Sequence, residues 1–331
     1  MVTPVLTKEL REVEGARLWT KAPLAPFTTI GTGGKAALLV TIGSTSALSS
    51  VLAAVERAGL PWFCLGGGSN LLVTDQGYPG VIIKLDDEFH YLDDLPAHHD
   101  AGPAGEEFII TVGAGAYLSR LSAVVAESGL SGLEFSCGIP GSVGGGVAMN
   151  AGAHGFAMAD VAESVELVSA EGASWMPAQA LKWSYRSCTL PPGTVVTAIR
   201  LRLVRDDPGS ILQYQRSLLR ARRQTQPRSA RTFGSVFKNP PGDWAGRLLE
   251  KAGLKGVHRG GAEVSTVHAN FIVNLGDATT TDVLALMGLM REGVHRMSGI
   301  SLEPEVKLLG GQFPWDSAAC AALFAQPDLH G

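Results

Sequence analysis

Several signatures of membrane, secreted and metal-binding proteins are missing from this chain of 331 residues. Its four cysteines, Cys64, Cys137, Cys188 and Cys320, are far apart and form no C-x-x-C pair, which argues against a zinc site and a disulfide framework. No apolar run approaches the about 18 residues that a membrane helix requires. Residues 1–20 carry charges throughout and contain no apolar core of signal-peptide length. We therefore expect a soluble, cytoplasmic protein without membrane insertion.

Charged residues are also scarce, while glycine is abundant. The charged fraction is 18%, below the typical ~25%, and the apolar fraction of 45% is normal for a folded domain. The net charge of -4 gives no general attraction to nucleic acid or acidic membranes. The 41 glycines cluster in the interior of the sequence, which favours loops where the backbone approaches a ligand closely.

The common nucleotide motifs are absent, because the chain has neither a Walker loop nor a G-x-G-x-x-G fingerprint. It has instead two separated glycine loops, Gly66–Asn70 and Gly138–Gly146, together with Gly113 and Gly115 after a predicted strand. Each loop alone is compatible with a tight turn. Two such loops can hold a diphosphate between their backbone N–H groups, so together they favour a dinucleotide. Further donors in or near them are Ser69, Asn70, Ser142 and Asn150.

Hydrophobic periodicity predicts a mixed α/β first region and a second region that is more helical and more basic. The first region alternates strands and helices, with a surface loop or hairpin tip at 94–107, and residues 206–210 are the best linker candidate. The predicted parts are an N-terminal extension (1–20), a two-part first domain (21–205), a second domain (206–310) and a loose tail (311–331).

A row of arginines lies shortly before the Gly-Ser turn at Gly234 and Ser235. Arg216, Arg220 and Arg223 recur at helical spacing on one face, with Arg222, Arg228 and Arg231 nearby. The row is either a solvated helix face or a wall that binds phosphate. Because the whole chain is negative, a small phosphorylated ligand fits the row better than nucleic acid does.

The remaining chemistry-bearing residues leave several roles open. No histidine pair has metal-ligand spacing, so no metal site is predicted. Ser235, in "RTFGSVFKNP", could cap a turn, act as a nucleophile or donate a proton, although no G-x-S-x-G motif supports a triad. Glu303 and Glu305 flank Pro304 at a strand entrance, where alternation places both on one side and allows one to serve as a fixed carboxylate.

Seven motifs in order resemble those of the UDP-N-acetylenolpyruvoylglucosamine reductases of bacterial peptidoglycan synthesis. They are "GGGSNLLV", "CGIPGSVGGGVAMNAGAHG", "SYRSC", "GSVFKNP", "AGRLLEKAGLKG", "HANFIVN" and "LEPEVKLLG", and the resemblance runs from about Pro26 to Gly310. It implies an α+β fold: a two-subdomain FAD-binding region of the vanillyl-alcohol-oxidase type and a smaller α/β substrate-binding domain. It also implies FAD as cofactor, NADPH as reductant and UDP-N-acetylglucosamine enolpyruvate as substrate, with no obligate protein partner.

The resemblance carries roles onto matching residues. Arg186 of "SYRSC", Ser235 and Glu305 become the catalytic set. Arg186 stabilises the enolate left after hydride addition, Glu305 donates a hydrogen bond if protonated, and Ser235 protonates the carbon alpha to the carboxylate. The predicted substrate-binding residues are Tyr185, Arg223, Lys238 and Asn239. The predicted cofactor-binding residues are Gly66, Gly67, Gly68, Ser69, Asn70, Gly113, Gly138, Ile139, Pro140, Gly141, Ser142, Gly144, Gly145, Asn150 and Gly152.

This chain departs from the family pattern in two places near Ser235. Thr225 begins a triplet that is often Lys-Gln-Pro, and Thr232-Phe233 replaces a frequent Ser-Ala, so a phosphate contact is expected to have moved to Arg223 or Arg228. The short stretch 240–245 resembles the compact type without the substrate-capping tyrosine loop. Two rival functions are an oxidase that shares the FAD fold and a non-catalytic nucleotide- or RNA-binding protein.

Overall fold

The computed structural model describes residues 2–96, 103–228 and 230–316, with helices and strands mixed along the chain. The helices are α1 (Pro4–Glu12), α2 (Thr45–Arg57), α3 (Leu118–Glu127), α4 (Val143–Ala148), α5 (Met158–Val161), α6 (Pro208–Thr225), α7 (Ala245–Lys251) and α8 (Thr280–Ser298). The strands are β1 (Ala16–Pro23), β2 (Lys35–Ile42), β3 (Trp62–Cys64), β4 (Leu71–Val73), β5 (Tyr78–Leu85), β6 (Leu92–Asp93), β7 (Glu107–Gly113), β8 (Leu130–Ser131), β9 (Gly152–Ala153), β10 (Phe156–Ala157), β11 (Ala162–Ser169), β12 (Gly172–Pro177), β13 (Lys182–Ser184), β14 (Ser187–Thr189), β15 (Val195–Arg205), β16 (His258–Arg259), β17 (Ala262–Val264), β18 (Ile272–Asn274) and β19 (Lys307–Leu309). Within these residues, no helix combines the length and apolarity needed to cross a bilayer.

The described residues divide into two units that alternate along the chain. The first unit takes them from 2–20, 38–67 and 79–222, and the second from 21–37, 68–78 and 223–316. The domain boundaries drawn from the sequence, at 21, 206 and 311, stay a prediction.

A six-stranded antiparallel sheet is the framework of the first unit. Its order is β12-β11-β15-β7-β6, and β8 also pairs with β15. Strand β15 is central because it pairs with β11 on one side and β7 on the other. In its second half the side chains alternate: Ile199, Leu201 and Leu203 are fully buried, whereas Arg200 and Arg202 are exposed. A four-stranded sheet, in the order β1-β2-β5-β3, contains a parallel pair formed by β3 and β5.

Helix α2 shows how the sequence pattern builds the core of the first unit. The Ser44 hydroxyl caps its N-terminus by accepting a hydrogen bond from the Ala47 N–H, and Gly59 follows its end with a positive φ of 61°. Four residues at helical spacing are fully buried, as predicted: Leu48, Val51, Leu52 and Val55.

The second unit is smaller and is organised around helix α8. Its sheets are β16-β17-β18, which is antiparallel, and the parallel pair β19-β4. A capping box of Thr279 and Asp282 starts α8, and Gly299, at a φ of 72°, ends it. Apolar residues at helical spacing along α8 predict a buried stripe, and all of them are buried in the core except Met297, which is 38% exposed: Val283, Leu286, Met287, Met290, Val294 and Met297.

Three local predictions need correction. The predicted N-terminal extension (1–20) is not only polar, because α1 buries Leu6 and Leu10 in the core of the first unit. Residues 208–210 do not form a linker: they are the first turn of α6, where Asp207 Oδ2 accepts a hydrogen bond from the Ser210 N–H. The sequence also predicts a helix over 243–253 with Asp243 as N-cap, but α7 starts at Ala245, whose N–H donates to Asn239 Oδ1.

The structure describes parts of the predicted loop or hairpin tip (94–107) and of the predicted tail (311–331). Strands β6 and β7 pair antiparallel, which confirms a hairpin around the predicted tip, while residues 97–102, including His98 and His99, lie outside the described residues. In the predicted tail, Phe313 stacks on Trp315, and the Arg291 guanidinium lies over the Trp315 ring. Residues 317–331 also lie outside the described part.

Candidate active site

The two glycine loops approach each other within the first unit. A Cβ added to Gly67 would lie 2.7 Å from Gly141 Cα, and one added to Gly66 would lie 2.5 Å from Ser142 Oγ. Backbone cannot move aside as a flexible side chain can, so only glycine fits at position 67. The two predicted glycine loops therefore lie side by side in the fold.

The second glycine loop is held against the end of β7. The Leu118 N–H donates to the Gly141 carbonyl, and the Val143 N–H donates to the Ala116 carbonyl, at N···O distances of 3.0 and 2.8 Å. Ser142 caps α4 by accepting a hydrogen bond from the Gly145 N–H. Because this surface carries little side-chain bulk, the diphosphate of a dinucleotide such as FAD can approach its backbone closely. The N–H groups of Val143, Gly144 and Gly145 already donate to acceptors of the protein itself.

The other predicted cofactor residues divide between the units. Gly68, Ser69 and Asn70 belong to the second unit, where the Thr29 N–H donates to the Gly68 carbonyl. Gly113 ends β7, and its N–H donates to the Tyr91 carbonyl. The predicted residues that belong to the first unit are Gly66, Gly67, Gly113, Gly138, Ile139, Pro140, Gly141, Ser142, Gly144, Gly145, Asn150 and Gly152.

Arg186 occupies a strained turn in the first unit. It follows Tyr185 in the two-residue connection between β13 and β14, where Ser184 pairs with Ser187. Its φ is 60°, a left-handed conformation that is costly for a residue with a side chain. Arg186 Nη1 donates to the Gly152 carbonyl at 2.7 Å, and its guanidinium carbon lies 5.1 Å from the centre of the Tyr185 ring.

Arg222 is a second guanidinium near this turn. It is half-buried, and burial lowers its pKa; the Cys137 thiol opposes that effect and the positive charge of Arg186 adds to it. Two cations that repel each other in one region attract an anion. The sequence placed Arg222 in the arginine row without a separate role, and only its burial distinguishes it from Arg216, Arg220 and Arg223, which are exposed.

Ser235 lies in an irregular strand of the second unit. Arg231 bridges Asn274 and Ser235 bridges Phe271, with a register shift of one residue between the two bridges. Phe233, Val236 and Phe237 are buried, whereas Ser235 is partly exposed. Among the described residues, no backbone N–H donates to the Ser235 hydroxyl; Thr232 Oγ1 accepts from the Gly234 N–H instead. The turn-cap interpretation of Ser235 therefore loses its support.

Asn270 holds the strand of Ser235 in place. Its side chain binds both backbone groups of Phe237: Oδ1 accepts from the Phe237 N–H at 3.0 Å, and Nδ2 donates to the Phe237 carbonyl at 2.8 Å. Its carbonyl accepts from the Val236 N–H, and its own N–H donates to His268 Nδ1. Asn270 is only 3% exposed. Asn270 lies in the motif "HANFIVN", but no local pattern there marks it as a support of a neighbouring strand.

Glu305 lies beside the strand of Ser235 in the second unit. The Glu305 N–H donates to the Val236 carbonyl, and Phe237 forms a bridge with Pro304. Asn70 Nδ2 donates to the Glu305 carbonyl at 3.2 Å. The structure thus brings two of the three predicted catalytic residues onto adjacent segments of one unit.

The predicted substrate-binding residues have different surroundings. Lys238 Nζ lies 3.4 Å from Glu303 Oε2, and Asn239 Oδ1 is committed to the start of α7. Tyr185 is 53% exposed, and Arg223 is also exposed. No cluster of three or more metal-ligating side chains occurs in the part of the chain that the structure describes.

Comparison with known proteins decides the family. The model of an FAD binding domain matches residues 36–175, and the model of the UDP-N-acetylenolpyruvoylglucosamine reductase C-terminal domain matches residues 226–309. A reductase of that name from Anaeromyxobacter dehalogenans is 46% identical, over 93% of this chain and 90% of its own length. The chain belongs to the UDP-N-acetylenolpyruvoylglucosamine reductase family. It is therefore an oxidoreductase of peptidoglycan synthesis with FAD as cofactor.

Other members of the reductase family agree in length and fold. The Bacillus subtilis reductase is 39% identical, over 92% of this chain and 98% of its own. The crystal structure of the Thermus caldophilus reductase superposes with a TM-score of 0.75 at 38% identity, covering 89% of this chain and 98% of that one. The predicted α+β fold with an FAD-binding domain is confirmed.

Proposed function

We propose that this chain reduces UDP-N-acetylglucosamine enolpyruvate to UDP-N-acetylmuramate in the cytoplasm, with NADPH as the source of electrons. FAD, when bound, supplies a hydride from its reduced form. The reaction adds that hydride to the far carbon of the enolpyruvyl double bond and a proton to the carbon alpha to the carboxylate. Ser235 is proposed to donate this proton, because its partly exposed hydroxyl lies on a fixed strand and accepts from no backbone N–H among the described residues.

The positive charge required by this reaction is assigned to Arg186. Hydride addition leaves an enolate conjugated with a carboxylate, and a guanidinium stabilises that charge without changing its own protonation. Arg222 supports the assignment, since the charge of Arg186 helps to lower the pKa of Arg222, which indicates a second positive charge nearby. Glu305 is assigned a hydrogen bond to the same system. Tyr185, Arg223, Lys238 and Asn239 are proposed to contact the rest of the substrate.

The test is the oxidation of NADPH by the purified, FAD-loaded protein. We expect NADPH oxidation beyond the amount that reduces the bound FAD only when the enolpyruvyl UDP-sugar is present, with UDP-N-acetylmuramate formed in equal amount to that further oxidation and identified by mass. NADPH consumption without the sugar is the background control. A protein that turns over O₂ rapidly and ignores NADPH would instead be an oxidase, and a colourless protein that takes up no FAD would contradict every flavoenzyme function.

A further inference from the structure

The side chain of Asn150 joins three segments of the first unit. Its Nδ2 donates to the Ser184 carbonyl at 3.0 Å, and its Oδ1 accepts from the Ala159 N–H, also at 3.0 Å. Its backbone N–H donates to the Val147 carbonyl at the end of α4. Asn150 is 8% exposed, so both ends of the amide are engaged inside the protein.

The Ser184 carbonyl bound by Asn150 belongs to the turn that carries Arg186. That turn connects β13 and β14, which are three residues each, so few other backbone hydrogen bonds fix it. A second contact comes from the same segment, since Arg186 Nη1 donates to the Gly152 carbonyl. Residues 150–152 therefore hold the turn at its backbone and the guanidinium at its tip.

The strain at Arg186 explains why such a brace is needed. A residue with a side chain at a φ of 60° persists only where its surroundings fix it. Asn150 itself has a φ of 41°, a region that asparagine tolerates better than most residues. Asn150 and Arg186 thus both have a left-handed backbone, and the side chain of Asn150 binds the turn that carries Arg186.

We propose that Asn150 is a positioning residue that orients Arg186, and that it is not a direct ligand of the cofactor. The inference rests on the role proposed above for Arg186. Loss of the Asn150 donor frees the Ser184 carbonyl and lets the turn relax, which moves the guanidinium. A displacement of about 1 Å at a reacting centre costs up to ~10²-fold in rate.

The first test variant is Asn150→Asp, which keeps the acceptor for the Ala159 N–H and removes the donor to Ser184. Because it also adds charge, Asn150→Gly is the second variant: it tolerates the positive φ and removes both bonds without charge. In stopped flow we expect flavin reduction by NADPH to stay within about twofold of wild type. Reoxidation by the enolpyruvyl substrate should slow by about tenfold to a hundredfold in both variants.

A matched control separates the turn from the rest of the segment. Asp160 Oδ2 accepts from the Ala157 N–H at the start of α5, so Asp160→Ala weakens the same region without touching the turn. We expect wild-type rates in both half-reactions of this control. A slowdown equal to that of the Asn150 variants would contradict the positioning role.

A double-mutant cycle ties Asn150 to Arg186. If Asn150 acts through the guanidinium, Asn150→Gly should slow reoxidation less than about twofold further in an Arg186→Ala background. Independent, multiplying effects would overturn the proposal, as would weakened FAD binding with slow flavin reduction, which identifies a cofactor ligand. Wild-type reoxidation in Arg186→Ala alone would overturn the assigned role of Arg186 and this inference together. Wild-type reoxidation in the Asn150 variants alone would overturn only the inference.

Hydrogen–deuterium exchange gives a readout that does not depend on turnover. In the FAD-loaded full chain, the peptide covering 182–189 should exchange at least about tenfold faster in Asn150→Gly than in wild type. The peptide covering β11 and β12 serves as the internal control and should not change. Unchanged exchange at 182–189 would show that Asn150 does not hold the turn.

Discussion

The segments that carry Arg186 and Ser235 are fixed in opposite ways. Arg186 lies on a short turn with a left-handed backbone, and hydrogen bonds from Asn150 and to Gly152 help to hold it. Ser235 lies two residues before Phe237, whose N–H and carbonyl are both bound by the Asn270 side chain, and buried phenylalanines flank it. The first segment has a strained backbone at the residue proposed to stabilise the enolate, whereas in the second a side-chain amide takes up backbone hydrogen bonds that a strand would otherwise form.

The largest expected effect concerns the Ser235 strand. Asn270→Ala leaves the N–H and the carbonyl of Phe237 buried without partners, so the free energy of unfolding should fall by about 3 kcal/mol. Asn239→Ala is the matched control, because it removes only one bond at a helix start and should cost about 1 kcal/mol. Urea unfolding measures both. Equal shifts of the two urea midpoints would mean that the Asn270 side chain stabilises the protein no more than an ordinary bond at a helix start.

A medium effect is expected from relief of strain at the Arg186 turn. Arg186→Gly and Arg186→Ala both remove the guanidinium, but glycine adopts a φ of 60° at almost no cost. The glycine variant should therefore be more stable than the alanine variant by about 1 kcal/mol. Thermal unfolding compares the two. An alanine variant as stable as the glycine variant would show that the turn relaxes freely.

The smallest expected effect is a pH dependence of the Ser235 strand. Burial lowers the pKa of His268 from its ordinary 6.5; Lys255 lowers it further, and Glu250 opposes the shift. Below pH 6.5 the unfolded chain binds a proton that the folded chain resists, so stability should fall as the pH drops. Protonation also removes the acceptor for the Asn270 N–H.

Comparison with a variant isolates this histidine. His268→Asn lacks the titrating group, so its urea midpoint should change less than that of wild type between pH 7.5 and 5.5. Identical changes in both proteins would assign the pH dependence to other groups.

The elements that the sequence predicted well are those with a repeated pattern. Helix α2 and strand β15 show the apolar spacing of their class, and their buried residues follow it. The short α1 was missed because its two buried leucines are surrounded by charges. The supposed linker at 206–210 was misread because Asp-Pro-Gly resembles a turn, although proline also suits the first turn of a helix.

The motifs of the candidate site could be predicted from the sequence, but the side-chain contacts that hold those motifs in place could not. Glycine spacing indicated two paired loops, and the fold brings Gly67 against Gly141. The sequence did not indicate that the side chains of Asn150 and Asn239 bind backbone groups of the protein itself. Whether an asparagine side chain meets a ligand or a neighbouring peptide depends on contacts that are distant in sequence, and no local pattern records them.

The most direct test of the proposed chemistry is stopped-flow measurement of both half-reactions in Ser235→Ala. Loss of a general acid costs typically ~10²–10⁴-fold, so reoxidation of the flavin by the enolpyruvyl substrate should slow by at least about a hundredfold, while reduction by NADPH stays near the wild-type rate. Ser217→Ala, at an exposed serine of α6, is the control and should match wild type in both. Wild-type reoxidation in Ser235→Ala would contradict the role of Ser235 as proton donor.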